Sequence, residues 1–259
     1  MDHRLRPESG HDAEFVASVC RQLSLPHTVL PVDVPAGASL QAQARSARYA
    51  ALGEWAAEHA IAVVLTGHHA DDQAETLLMR LARGAGLGGL AGVRARQRVG
   101  GVSLVRPLLG WRKVELEEIV AEAGLAPLRD PANSDPRHDR TRARRLLAEQ
   151  TSLDPQRLAG SAGCLAQAEE ALVFAANRLF AERCRREGQT LLLEVADLPQ
   201  ELRRRLLLRA MTELGAPLPR GPDLERAMSL LAASGRCTLG GLLLQGGAQW
   251  RLTPEPPRR

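Results

Sequence analysis

Aromatic side chains are scarce, only 3% of 259 residues. That excludes a nucleic-acid surface built on extensive base stacking and leaves the core to Leu, Val and Ala. Lysine is almost absent: of 34 basic residues only Lys113 is lysine, and the rest are Arg. GC-rich coding would produce this bias, and so would a need for forked guanidinium groups that grip phosphate and stack on bases. The four cysteines, Cys20, Cys164, Cys184 and Cys237, form no Cys-x-x-Cys pair. Their spacing excludes a zinc knuckle, an iron–sulfur site and a disulfide framework. No apolar run approaches the roughly 18 residues of a membrane span, and Met1-Asp2-His3-Arg4 opens no signal sequence. The expectation is a cytoplasmic protein with no membrane contact.

What is present is ordinary for a globular protein: 44% hydrophobic and 25% charged residues, with a net charge of +4. The length suits a domain of about 150 residues plus a smaller one, divided near Thr151–Pro155 into 1–150 and 151–259. Helical periodicity covers residues 13–23, 39–59 and 72–83, while Thr28–Val32 and Ile61–Thr66 read as strands, the second fully buried. Helix alternating with strand predicts an α/β fold, a parallel sheet with helices on both faces. Val102–Val105 reads as a further strand, Trp111–Ala123 as a helix and 126–139 as an ordered, proline-containing loop. A basic helix follows from Arg140. The second domain is expected to be small and mostly helical. It holds a linker helix over 156–186, a strand at Leu191–Val195, helices at 199–214 and 223–233, and a hairpin turning at Gly246-Gly247.

The densest chemistry is Gly67-His-His-Ala-Asp-Asp-Gln-Ala-Glu-Thr76, directly beyond the strand that ends at Thr66. In open α/β sheets ligands bind just outside the carboxyl ends of strands. Asp72, Glu75 and Thr76 lie on one face of the first helical turn. Two carboxylates there can hold Mg²⁺, with Asp72 the candidate ligand, or can orient an amine and accept its proton. The imidazoles can meet phosphate or a base. Asp72-x-x-Glu75 also fits a capping box, which leaves His68, His69 and Asp71 without a role. A zinc site on His68, His69, Asp71 and Asp72 is the other alternative. Further on, Arg137, Arg140, Arg142, Arg144 and Arg145 crowd nine positions. With Arg112 and Lys113 they form a candidate RNA-binding patch, for which salt-sensitive binding is the signature; a solvated basic helix is the plainer reading. Gly84-Ala-Gly-Leu-Gly-Gly89 matches a dinucleotide fingerprint in letters but follows a helix, so it reads as a helix exit or a flexible loop.

The block 67–76, together with Asp2-His-Arg-Leu-Arg6, Arg48-Tyr49, Arg106-Pro-Leu-Leu109 and Asp130-Pro-Ala-Asn-Ser-Asp135 followed by Arg142, Arg144 and Arg145, resembles the tRNA(Ile)-lysidine synthases. These belong to the PP-loop ATP pyrophosphatases. The resemblance is ordered over residues 2–150 and thins beyond. It implies a Rossmann-like fold of the adenine nucleotide alpha hydrolase type. It also implies an enzyme that uses ATP and Mg²⁺ to adenylate the wobble cytidine of the CAU-anticodon tRNA(Ile) and then joins L-lysine to it. Asp72 and Glu75 would be the catalytic acids, and Asp2, His3, His68, Asp71 and Thr76 would line the nucleotide side. The family's Ser-Gly-Gly-x-Asp-Ser phosphate loop is not in the chain. The resemblance therefore implies a fold without its first strand here, read from a start assigned too late rather than a true fragment. Another PP-loop tRNA-modifying enzyme, such as a thiolase, and a non-catalytic tRNA-binding remnant stay open as alternatives, as does a homodimer.

Overall fold

The computed structural model describes residues 9–32, 40–128 and 139–255. Asp2, His3 and Arg137, with residues 129–138 of the 126–139 loop, lie outside the described residues. The chain divides into two compact units, Met1–Ala166 and Gln167–Arg259.

In the first unit, α1 (Ser9–Gln22) precedes α2 (Leu40–Glu58), and β1 (Val63–Leu65) leads into α3 (Ala70–Ala82). A short helix, α4 (Leu87–Leu90), precedes the hairpin of β2 (Arg96–Val99) and β3 (Val102–Val105); α5 (Lys113–Glu122) and α6 (Asp139–Glu149) follow. The strand order is β1-β3-β2, with β1 and β3 parallel and in register Val63↔Ser103 to Leu65↔Val105. A parallel sheet was expected from the alternation that included Thr28–Val32 and Ile61–Thr66; the parallel pair formed joins β1 to β3 instead. Strand β2 was not legible, because three of its four residues are exposed and polar and carry no alternation. It exists because Gly100 and Gly101 both take positive φ, 55° and 84°, the turn that a two-residue hairpin demands. Helix α2 lies on this sheet. A methyl group on Gly53 would stand 3.2 Å from the Cα of Gly100, so glycine at both positions permits the approach.

Two expectations need correction. Thr28–Val32 forms no strand, only an isolated bridge at Pro31. Pro26 and Pro31 lack the N–H groups that a ladder needs. Strand β1 is not buried on both faces: Val63 and Leu65 are 49% and 64% exposed. Among the described residues it is the edge strand, paired only with β3, and α2 covers only one face of the sheet.

α7 (Pro155–Arg183) is the expected long helix. The second unit, expected to be small and mostly helical, carries its helices beside a five-stranded antiparallel sheet, β4-β5-β8-β7-β6. It comprises β4 (Cys184–Glu187), β5 (Thr190–Glu194), β6 (Arg236–Leu239), β7 (Leu242–Gln245) and β8 (Gln249–Pro254), with α8 (Gln200–Glu213) and α9 (Gly221–Ala232) between β5 and β6. The turn expected only at Gly246-Gly247 is preceded by another at Gly240-Gly241, with φ of 59° and 76°, which folds one predicted strand into β6 and β7. The core joins Leu191, Leu193, Leu244, Trp250 and Leu252 to Leu206, Leu207, Ala210 and Met211 of α8. From α9 it takes Leu224, Ala227, Met228 and Leu231, the i, i+3, i+4, i+7 stripe of an amphipathic helix. No helix among the described residues is long and apolar enough to cross a membrane.

Candidate active site

The chain leaves β1 through Thr66, whose N–H donates to the Val105 carbonyl. It enters α3 at Ala70, whose N–H donates to the Trp111 carbonyl. These two backbone bonds anchor the Gly67–His69 turn at the carboxyl end of the parallel pair. The residue that caps α3 is His69, in extended conformation. Asp72, at the third helical position, accepts the His69 N–H at 3.0 Å. The capping box read at Asp72–Glu75 therefore sits one turn earlier, and Glu75 takes no part in it. Asp71 and Asp72 both occupy the first turn, where the helix dipole favours anions, and Arg80 occupies the last.

Glu75 is 2% exposed and is bound by two arginines of α6. Its Oε2 accepts Arg140 Nε at 2.6 Å and its Oε1 accepts Arg144 Nε at 2.7 Å. Arg140 reaches across with its other arm to Asp72 Oδ1, also at 2.6 Å. One guanidinium thus joins the two acids picked out from their spacing. Asp71 points elsewhere, accepting Arg112 Nε and Nη2 at 3.0–3.2 Å and the backbone N–H of Lys113 at 2.7 Å. It ties the start of α3 to the start of α5. Partial burial pushes the Asp71 carboxyl up, but the Arg112 fork, the Lys113 N–H and the positive charge beside it outweigh burial. They hold it below the usual carboxylate range. The Asp71, Asp72 and Glu75 charges are matched by Arg112, Arg140 and Arg144, so the cluster is close to neutral.

His68 is half-buried, and its Nδ1 lies 3.1 Å from Thr66 Oγ1. Its pKa is lowered to about 4, first by burial and then by the positive charge of Arg106, Arg45 and Arg140, against an opposing pull from Asp72. The ring is neutral at neutral pH and offers hydrogen bonds, not charge. His69 Nδ1 is buried without a hydrogen-bond partner and faces Asp71 Oδ2 at 3.6 Å. The Thr76 hydroxyl donates to the Asp72 carbonyl at 2.7 Å, inside its own helix. Among the described residues no group of three or more His, Cys, Asp or Glu side chains is arranged to hold a metal ion.

The remaining predicted RNA-facing cations also have carboxylate neighbours. Lys113 Nζ stands 3.3 Å from Glu117, Arg142 pairs with Asp139, and Arg145 pairs with Glu149. Arg142 and Arg145 are 66% and 78% exposed, while Arg140 and Arg144 are 42% and 41% exposed. Arg140 and Arg144 share a face of α6, as their spacing predicted.

Three positioning residues were given no role from the sequence. Gln73 is buried and clamps Val93 twice, donating Nε2 to its carbonyl at 2.8 Å and accepting its N–H at 2.6 Å. Arg80 donates to the carbonyls of Gly89 and Gly92 at 2.6 and 3.0 Å. The glycine-rich segment is therefore pinned to α3 from both ends of that helix. Arg106 is buried with its Nη1 on the Arg94 carbonyl at 2.6 Å.

Residues 1–151 match the PP-loop domain family. The chain is 46% identical to the tRNA(Ile)-lysidine synthase of Novosphingobium aromaticivorans, an alignment that covers all of this chain and 81% of the relative. It is 42% identical to that of Zymomonas mobilis, covering all of this chain and 80% of the relative. With the enzyme of that name from Methylobacterium nodulans it shares 40% identity, over all of this chain and 82% of the relative.

Proposed function

The chain belongs to the PP-loop family of tRNA(Ile)-lysidine synthases, and from that premise we propose how its described residues serve lysidine formation on tRNA(Ile). The reaction uses ATP. The C2 oxygen of the wobble cytidine attacks the α-phosphorus and pyrophosphate leaves. The lysine ε-nitrogen then bonds to C2 as the C2–O bond to AMP breaks, and the nitrogen gives up a proton.

The observation that carries the assignment is the pairing of Asp72 and Glu75 on one helical face, with cations as their partners. A lysine side chain is an ammonium at neutral pH, with a pKa of about 10.4. A site for it needs anionic oxygens that displace water without forcing premature deprotonation. Glu75, held away from solvent, and Asp72, one turn earlier, offer that pair. One carboxylate takes a proton from the ammonium, which frees the nitrogen lone pair, and the pair orients that nitrogen toward C2 for attack. Neutral His68 serves the nucleotide side by hydrogen bonding, steadied by Thr66. Asp71 acts through Arg112, fixing where α5 begins. Asp2 and His3 are assigned to the nucleotide side by the family resemblance alone. Thr76 spends its hydroxyl on Asp72 and holds the acid-bearing turn.

Magnesium would travel with ATP, neutralising phosphate charge. Each carboxylate oxygen has two lone pairs, so Asp72 Oδ1 keeps one acceptor direction beside Arg140. Mg²⁺ bound to phosphates needs only one or two protein carboxylates. Asp72 therefore fits as the residue that would hold it. A thiolase reading loses support from the absence of cysteine pairs.

The test is incorporation of labelled L-lysine into a CAU-anticodon tRNA(Ile) transcript, with ATP, by the intact enzyme. Asp72→Asn and Glu75→Gln are each expected to lower the rate by about 10²-fold or more. Near-normal incorporation by either would overturn the assignment.

A further inference from the structure

The acids assigned to lysine are already occupied. Glu75 receives a guanidinium on each oxygen, and Arg140 spans Glu75 and Asp72. An ammonium cannot enter beside both guanidinium groups without bringing three cations onto two carboxylates. Nor can the arginines leave unaided, because a carboxylate buried to the extent of Glu75 is strongly disfavoured without a partner. Lysine entry and arginine departure are therefore one exchange, and a second anion that receives the arginines favours it.

Arg140 and Arg144 are placed for such a transfer. Both are about two-fifths exposed, and they stand on α6 beside Arg142 and Arg145, which are more exposed still. A phosphodiester presents the same two-oxygen geometry to a guanidinium fork as a carboxylate does. We infer that Arg140 and Arg144 form a latch over Asp72 and Glu75, and that the phosphate backbone of the bound tRNA draws them off, opening the acid pair to lysine. The inference rests on the proposed role of Asp72 and Glu75. RNA binding and lysine binding are then coupled through shared arginines. A free lysine meets a closed site until the RNA is in place.

The coupling is measurable at equilibrium without ATP. Binding of ¹⁴C-labelled L-lysine to the full chain is measured with and without a saturating CAU-anticodon tRNA(Ile) transcript. Lysine is expected to bind at least about tenfold more tightly with the transcript present, and reciprocity requires lysine to tighten transcript binding by the same factor. In Arg140→Gln, lysine binding in the absence of RNA should rise toward the RNA-bound value and the coupling should shrink. Arg140→Lys keeps the charge but loses the fork, and should show intermediate coupling if the glutamine variant does not fold. Equal lysine affinity with and without transcript in the wild-type protein would overturn the latch. Glu75→Gln separates the two ideas: if it leaves lysine binding unchanged, the acid assignment has failed, whereas if it abolishes binding while the wild type shows no coupling, only the latch has failed.

Discussion

Glu75 and Arg140 meet at 2.6 Å, yet one is withdrawn from solvent and the other is two-fifths exposed. The asymmetry means that the two ends of this ion pair do not contribute equally. Losing Glu75 lets both arginines turn to water. Losing the arginines leaves a buried anion.

The first prediction follows from that asymmetry. Arg140→Ala combined with Arg144→Ala should destabilise the first unit by about 3 kcal/mol or more, the range for a buried charge left without its partner. Glu75→Gln should cost less. Adding Glu75→Gln to the double variant should restore part of the loss, because the uncompensated charge is gone. Urea unfolding followed as a double-mutant cycle measures the non-additivity; strictly additive losses would contradict the arrangement.

The Asp71–Arg112 contact sets a pH dependence. The Asp71 carboxyl lies below its ordinary value of 3.8 in the folded protein, so its contribution is present above that value and is lost as pH falls through the folded value. Unfolding midpoints measured from pH 6 to pH 2 should show a steeper acid limb in the wild type than in Asp71→Asn.

His68 acts over a different window. With a folded pKa of about 4 against an ordinary 6.5, it stays neutral where an unfolded histidine gains a proton. Between these values the unfolded state binds more protons, so stability rises with pH across the window and is fully present above 6.5. The imidazole NMR shifts of His68 should remain those of a neutral ring at pH 5.5, and His68→Asn should flatten the stability profile between pH 6.5 and 4.

Gly92 tests the clamp on the glycine-rich segment. It has φ of 65°, and a methyl group there would stand 2.3 Å from Gln73 Oε1, the atom that holds the Val93 N–H. Gly92→Ala should cost about 2–3 kcal/mol, from left-handed strain plus a displaced hydrogen-bonding pair. Gly84, with φ of 67° and no atom within 4 Å of the added methyl, isolates the strain alone. Its alanine variant should cost about 1 kcal/mol. Thermal unfolding of both variants gives the comparison.

The outer arginines of α6 should act on RNA without touching the acids. Arg142→Ala and Arg145→Ala should each weaken tRNA binding and reduce the dependence of log affinity on log salt by about 1. Filter binding between 50 and 200 mM salt, roughly the range where phosphate contacts dominate, would detect it. An unchanged slope in both variants would remove Arg142 and Arg145 from the RNA surface.

Much of this protein was decided by sequence alone. The helical stripes of α3, α6 and α9, the strand segments β1 and β3, and the block from Gly67 to Thr76 depend on spacings within a few residues, which is where periodicity and turn chemistry are written. That block also carried the family. What only the tertiary structure decided is which charges meet. Arg140 and Arg144, read as RNA-facing, and Asp72 and Glu75, read as amine-facing, are two chapters of sequence and a single cluster in space, because α6 packs its basic face on the acidic turn of α3. Gln73 on Val93, the polar strand β2 and the joining of the second unit's strands into one five-stranded sheet were hidden for the same reason. Each is made by partners distant in the chain, and no local pattern encodes a contact whose other half lies elsewhere.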